Sequence, residues 1–149
     1  MGFFDGYNVA TSGMAAQRTR INIVSANIAN AQTTHTTEGG PYKKQNVVFE
    51  EVLLGSQNKT KEQRTNSLDP LALRGVGVKE ILESKDELVM KFEPNHPDAN
   101  KDGYVAYPNI NPVIEMVDLI EAMRSYEANV SAFKTQKEMD TSTLDIIKM

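Results

Sequence analysis

The sequence predicts an α+β chain: long N- and C-terminal helices paired as a coiled coil, with a small β-rich central region. Three observations predict it. Apolar residues recur at alternating three- and four-residue steps near both ends, the seam pattern of paired helices. The stretch between them loses that rhythm and carries short β-branched runs bounded by turn residues. The C-terminal stripe spans 112–149, roughly 55 Å as one helix at about 1.5 Å per residue, and a compact domain of this size rarely needs a helix that long.

Near the N-terminus, Tyr7, Ala10, Met14, Gln17, Ile21, Val24, Ile28 and Ala31 fall on one helical stripe, with Asp5 placed to cap its start. Gly13 weakens this helix by about 1 kcal/mol relative to alanine. Four extended candidates follow: NVVFEEVLL (46–54), GVGVKEILE (75–83), ELVMKFEP (87–94) and YVAYPN (104–109). Between the first two, GSQNKTKEQRTNS (55–67) is polar, has neither period and reads as a loop. Asn111-Pro112 reads as an N-cap followed by proline at the first helical position. Met116, Leu119, Met123, Tyr126, Val130 and Phe133 then carry the stripe; Lys137 and Asp140 interrupt it before Leu144 and Ile147 resume it. Glu115, Asp118, Glu121, Arg124, Glu127, Lys134 and Glu138 are expected on a solvated face. The implied organisation is an N-terminal helix in 1–34, a β-rich region in 35–110 and a C-terminal helix in 111–149.

Composition narrows the function classes. A net charge of −4 gives no electrostatic reason to expect nucleic acid or an anionic membrane as partner. The absence of cysteine excludes disulfides, thiol catalysis and cysteine-held metal. The first twenty residues lack a basic segment followed by an apolar one, so a cleaved secretory signal is not expected. MGFFDG has Gly2 but no Ser or Thr at position 6, a poor match to myristoylation. No apolar run approaches the roughly 18 residues that span a bilayer.

Chemistry-bearing patterns are few. His35 and His96 are the only histidines, each among loop-type residues. No nucleophile elbow, phosphate loop or zinc-protease pair is present, so catalytic residues, cofactor and metal are all expected to be none. One stretch resembles half of a calcium loop: Asp98, Asn100 and Asp102 alternate before Gly103. A working loop needs a bidentate Glu at its twelfth position, where this chain has Asn109, and Pro94 and Pro97 oppose an entering helix. The plainer reading is a tight Asp-Gly turn. A calcium-responsive binding module using 98–103 stays as the alternative.

SANIANAQTT (25–34) with EGGPYKKQ (38–45) resembles the N-terminal signature of the flagellar rod, hook and filament-junction family. NHPDANKDGYVAYPNIN (95–111) is similar to that family's turn region, and EMVDLIEAMRSYEANVSAFKTQKEM (115–139) to its C-terminal helix. The family more commonly has a basic residue where His35 stands and proline where Thr37 stands. The resemblance implies a non-enzymatic axial subunit of the proximal rod, exported by the flagellar type III apparatus without cleavage. It implies a periplasm-spanning rod built with other rod proteins and copies of the chain, and transmission of torque. A subunit of a type III secretion needle or rod is a second alternative.

The expected assembly interface is the seam, with Met14, Ile21, Val24 and Ile28 against Met116, Leu119, Met123, Tyr126, Val130 and Phe133. Asn27 and Asn30, about one helical turn apart, are expected to bond backbone or neighbouring side chains and fix how the chain leaves its first helix. Val113, Ile114, Val117, Ile120, Ile146 and Ile23 exceed what one helix pair can cover, which points to assembly.

Overall fold

The computed structural model describes residues 5–54 and 73–148; the stretch 55–67, expected as a loop, lies outside the described residues. Helix α1 (Asp5–Ala29) is followed by strands β1 (Gln45–Leu53), β2 (Arg74–Glu83), β3 (Val89–Phe92) and β4 (Tyr104–Tyr107), then by helix α2 (Pro112–Lys148). The architecture is α+β, with long terminal helices and two small two-stranded sheets, β1-β2 and β3-β4.

The helix ends follow from local chemistry. The N–H of Val113 donates to Asn111 Oδ1 at 3.0 Å, and the N–H of Glu115 donates to the Asn111 carbonyl at 3.1 Å. Asn111 therefore caps α2, and Pro112 takes the first helical position, where a missing N–H costs nothing. At the other helix, Asn30 Nδ2 donates to the Ala26 carbonyl at 2.9 Å, and Thr33 Oγ1 donates to Asn30 Oδ1 at 3.1 Å. These bonds end α1 before position 34 and start the turn that follows.

The strands sit within two residues of the sequence-based boundaries. Ser84 N–H donates to the Lys44 carbonyl at 2.7 Å, and Leu54 N–H to the Leu73 carbonyl at 2.8 Å, so β1 and β2 run antiparallel. The β3-β4 pair is antiparallel with Val89 opposite Tyr107 and Phe92 opposite Tyr104. Its connection turns on Asn100, whose Oδ1 accepts from the N–H groups of Asp102 at 3.0 Å and Tyr104 at 2.8 Å. Gly103 follows in the left-handed region, at φ 82°, where a Cβ is strained.

The chain forms two compact units: Met1–Thr19 with Phe49–Lys79 and Ala122–Met149, and Arg20–Val48 with Glu80–Glu121. In the first, the helices run antiparallel, with Gly6 against Gln136 and Gly13 against Asn129. The approach is close: a Cβ on Gly13 would lie 2.8 Å from the Asn129 amide nitrogen. Ala10, Ala16 and Ala122 are buried there. On the side of α1 facing β2, Ser12 Oγ accepts from the Val76 N–H at 3.2 Å. In the second unit, Val24 and Asn27 of α1 and Glu115 of α2 are buried, and Arg20 lies 3.6 Å from Asp118 and 3.8 Å from Glu121.

The seam is thus built differently from the apolar stripe. Leu119, Tyr126, Val130 and Phe133 are partly buried, as are Met14, Ile21 and Ile28. Met116 and Met123, expected on the seam, are 50% and 47% exposed. The contact line of α2 passes instead through Glu115, Ala122 and Asn129. Gly6 and Gly13 of α1 leave space that the Gln136 and Asn129 side chains fill, so polar groups of α2 take contact positions. Glu115, expected on the solvated face, is buried in the second unit, where it meets Asn27 and Lys44.

Gly103→Ala combines a left-handed backbone with a Cβ 2.9 Å from the Phe92 ring. It is expected to lower stability by about 1–3 kcal/mol, read as a drop in thermal midpoint, whereas Gly39→Ala, with open space around its Cβ, tests the backbone cost alone.

Candidate functional site

In the second unit, the Asn27 carboxamide uses every bonding position it has. Its Nδ2 donates to the Gln45 carbonyl at 2.9 Å and to Glu115 Oε2 at 3.1 Å. Its Oδ1 accepts from the Gln45 N–H at 2.9 Å and from the Tyr42 hydroxyl at 3.1 Å. Two donors and two acceptor lone pairs are what an amide offers, so no capacity is left over. Asn27 and Glu115 are each 1% exposed. The other oxygen of Glu115, Oε1, makes no directed hydrogen bond and is held by charge, 2.6 Å from Lys44 Nζ. Burial raises the Tyr42 hydroxyl pKa, with the Glu115 and Glu83 carboxylates adding to it, so the phenol is a neutral donor.

This cluster joins three segments: the end of α1, the 42–45 stretch leading into β1, and the first turns of α2. Three of the quoted sequence signatures therefore form one polar lock, with SANIANAQTT supplying Asn27, EGGPYKKQ supplying Tyr42, Lys44 and Gln45, and EMVDLIEAMRSYEANVSAFKTQKEM supplying Glu115. A fourth signature joins nearby, where Thr34 Oγ1 donates to Asp98 Oδ2 at 2.7 Å. Asn30 makes the local bonds described above. The Asn27 bonds all run within this chain, to the backbone of Gln45 and to the side chains of Tyr42 and Glu115, and its side chain is buried. Lys44, Tyr42, Gln45 and Glu115 were not anticipated as a site. The available signal was a glutamate in the first turns of a helix, where the dipole favours it, together with lysines in the signature stretch.

The Asp98 loop does what a turn does. Asp98 accepts from Thr34, its N–H donates to His96 Nδ1 at 3.1 Å, and the Asn100 oxygen is taken by backbone N–H groups. Among the described residues no group of three or more acidic, histidine or cysteine side chains converges to hold a metal ion. The calcium reading is not supported. Among the described residues, no helix is long and apolar enough to cross a membrane.

In the first unit a second polar contact stands out. The Tyr7 hydroxyl donates to Asp140 Oδ2 at 2.6 Å, Gln136 Nε2 donates to Asp140 Oδ1 at 3.3 Å, and the Tyr7 ring meets Phe133 edge-on at 4.9 Å. The hydrogen bond to Asp140 pushes the Tyr7 pKa up to about 12, with burial adding to it. Asp140, which interrupts the apolar stripe, is thus a seam residue.

The seam leaves many large apolar side chains of α2 exposed. Val113, Ile114, Met116, Val117 and Ile120 in the second unit are half-exposed or more, and so are Met139, Leu144, Ile146 and Ile147 in the first.

Comparison with known proteins gives a consistent result. Residues 8–34 match the family model described as flagella basal body rod protein. Residues 101–146 match the model described as the C-terminal part of flagellar basal body rod FlgEFG proteins. The chain is 41% identical to the flagellar basal-body rod protein FlgC of Borreliella burgdorferi, with 99% of each chain covered. It is 38% identical to FlgC of Bacillus subtilis, over 97% of this chain and 98% of that one. It is also 38% identical to FlgC of Aquifex aeolicus, over 99% of each.

Two tests follow from these contacts. Lys44→Met leaves the Glu115 charge buried without its counterion and is expected to cost about 2–3 kcal/mol, discounted from a fully buried pair because Lys44 is partly solvated. Lys44→Met with Glu115→Gln should recover at least part of that loss in a denaturant-melt cycle; simple additivity would contradict the lock. For Tyr7, a raised pKa in the folded state means that the neutral phenol stabilises the fold fully below about pH 10 and loses that contribution as pH rises toward 12. Alkaline melts should show this loss in the parent chain, and Tyr7→Phe should remove it.

Proposed function

The chain belongs to the FlgC family of flagellar basal-body rod proteins, and on that premise we propose how its surfaces serve the rod. It is a structural subunit of the flagellar basal body. The apolar side chains of α2 that the helix pair leaves exposed form the assembly surface. That single observation carries the reading. Burying such a stripe against neighbouring rod subunits yields roughly 25 cal/mol per Å² of apolar surface, which offsets the entropy lost on ordering.

In this reading Met116 and Met123 act between subunits. Leu119, Tyr126, Val130 and Phe133 serve mainly the helix pair, together with Met14, Ile21, Val24 and Ile28. Partners are other rod proteins and copies of the chain. The subunit reaches the rod through the flagellar export apparatus, sits in the periplasm-crossing part and passes torque along it. The Asn27–Glu115–Lys44 lock suits that task, since directed polar bonds resist sliding of the segments they join better than apolar contact does. The role needs no catalysis. A secretion-needle subunit is not favoured, because the full-length relatives named above are flagellar rod proteins.

Met123→Asp tests the assignment. The side chain is half exposed, so the lone chain should keep its helicity and expression level. Incorporation into purified rods should fall to background. Normal rods containing the variant would contradict the assembly surface.

A further inference from the structure

We propose that His96 works as an acid-operated latch on the connection between β3 and β4: when its ring takes up a proton, Asp98 exchanges Thr34 for His96 as its partner. All the groups involved lie in the second unit. His96 is one of two histidines, and its side chain is 28% exposed. Its Nδ1 accepts from the Asp98 N–H at 3.1 Å. An imidazole nitrogen that accepts carries no proton, so this ring is neutral, with its proton on Nε2. Asp98 Oδ2 meanwhile accepts from Thr34 Oγ1 at 2.7 Å, which ties the stretch after α1 to the hairpin connection.

Protonation reverses the polarity of the His96 contact. Histidine is the side chain whose charge changes between about pH 5 and 8. Once Nδ1 carries a proton, two N–H donors face each other where the bond was, and that bond is lost. Asp98 Oδ2, the oxygen that Thr34 holds, lies 4.0 Å from Nδ1. A small side-chain rotation closes that distance, and a cationic donor draws a carboxylate more strongly than a hydroxyl does. Thr34 and His96 thus compete for one oxygen, and acid moves it to His96.

The surroundings favour an exchange of partners over unfolding. From the hairpin, the Tyr107 ring meets the imidazole edge-on with centroids 6.4 Å apart, and the Lys91 ammonium lies 4.5 Å from the centre of the same Tyr107 ring. The Tyr107 hydroxyl donates to Glu93 Oε2 at 2.9 Å. That bond raises the Tyr107 pKa, with burial and the Glu93 and Asp98 carboxylates adding to it, so the phenol keeps its proton while histidine titrates. From the stretch after α1 come the uncharged Thr34 and, next in sequence, the exposed His35. The connection itself carries Asp98, Lys101 and Asp102. The Asp98 and Glu93 carboxylates therefore favour an imidazolium, and Lys91 opposes it. The backbone of the connection is held by bonds that the His96 ring does not make. His96 N–H donates to the Glu93 carbonyl and Ala99 N–H to the His96 carbonyl, each at 3.1 Å, and Asn100 caps the rest. The turn survives while its side chains change partners.

Thr34→Val, Asp98→Ala and the double variant form a cycle, read as thermal midpoints at about pH 8 and about pH 5. At the higher pH the two substitutions are expected to be non-additive, because they remove the same bond; in acid the coupling is expected to vanish. In a His96→Phe background the coupling should stay the same at both pH values. Equal coupling at both pH values with His96 present would overturn the latch, and so would coupling that still vanishes in acid without His96. The ring of the parent chain gives a second reading that does not depend on any variant of the cycle folding. A long-range proton–nitrogen NMR spectrum, with the other histidine identified by His35→Gln, should show His96 Nδ1 unprotonated at the higher pH and both ring nitrogens protonated in acid. A proton on Nδ1 at the higher pH, or a ring still neutral in acid, would contradict the proposal.

Discussion

The fit of polar side chains of α2 against glycines of α1 is the constraint on which the other features depend. Gly6 and Gly13 leave room for the side chains of Gln136 and Asn129, and Ala10 and Ala122 are buried in the same unit. Other groups bond across the pair, such as Tyr7 with Asp140. A contact line of this kind is directional, because a hydrogen bond fixes register where apolar packing tolerates sliding. It is also poor in buried apolar area, so a large share of the usual folding drive stays unused on the outer surface of α2.

The same division of labour explains the Asn27 lock. A helix end, an approach to a strand and a helix start must be held at a fixed angle, and a fully satisfied carboxamide does so with four bonds. A buried glutamate and lysine are an indifferent way to gain stability, since desolvation offsets much of their attraction. They are a good way to specify one arrangement against near alternatives. In a subunit that must present its outer surface in the same way to every neighbour, specificity of that kind matters more than total stability.

Much of the fold was legible in the sequence because the signals were local. Asn111-Pro112 announces a helix start through a cap and a missing N–H, and both appear as read. The strands declared themselves by β-branched runs between turn residues. The signature stretches carried the family. What stayed hidden were choices made by tertiary contact. Periodicity weights large apolar residues, so it drew the stripe through Met116 and Met123, while Asn27 and Lys44 bury Glu115 and Gly13 makes room for Asn129. A glutamate flanked by apolar residues reads as solvated unless its counterion is known, and Lys44 is far away in sequence. The alternating Asp98, Asn100 and Asp102 were ambiguous for a similar reason. Oxygen ligands and turn caps use the same side chains, and only the bonds to Thr34, Asp102 and Tyr104 separate the two.

The central claim is that the apolar stripe of α2 is solvated in the lone chain and covered in the rod. Oxidative footprinting of methionine, read by mass spectrometry, tests it most directly, because thioether reactivity follows exposure. Met116, Met123 and Met139 should be oxidised readily in the free chain and protected in assembled rods. Protection already present in the free chain, or unchanged reactivity in the rod, would contradict the account.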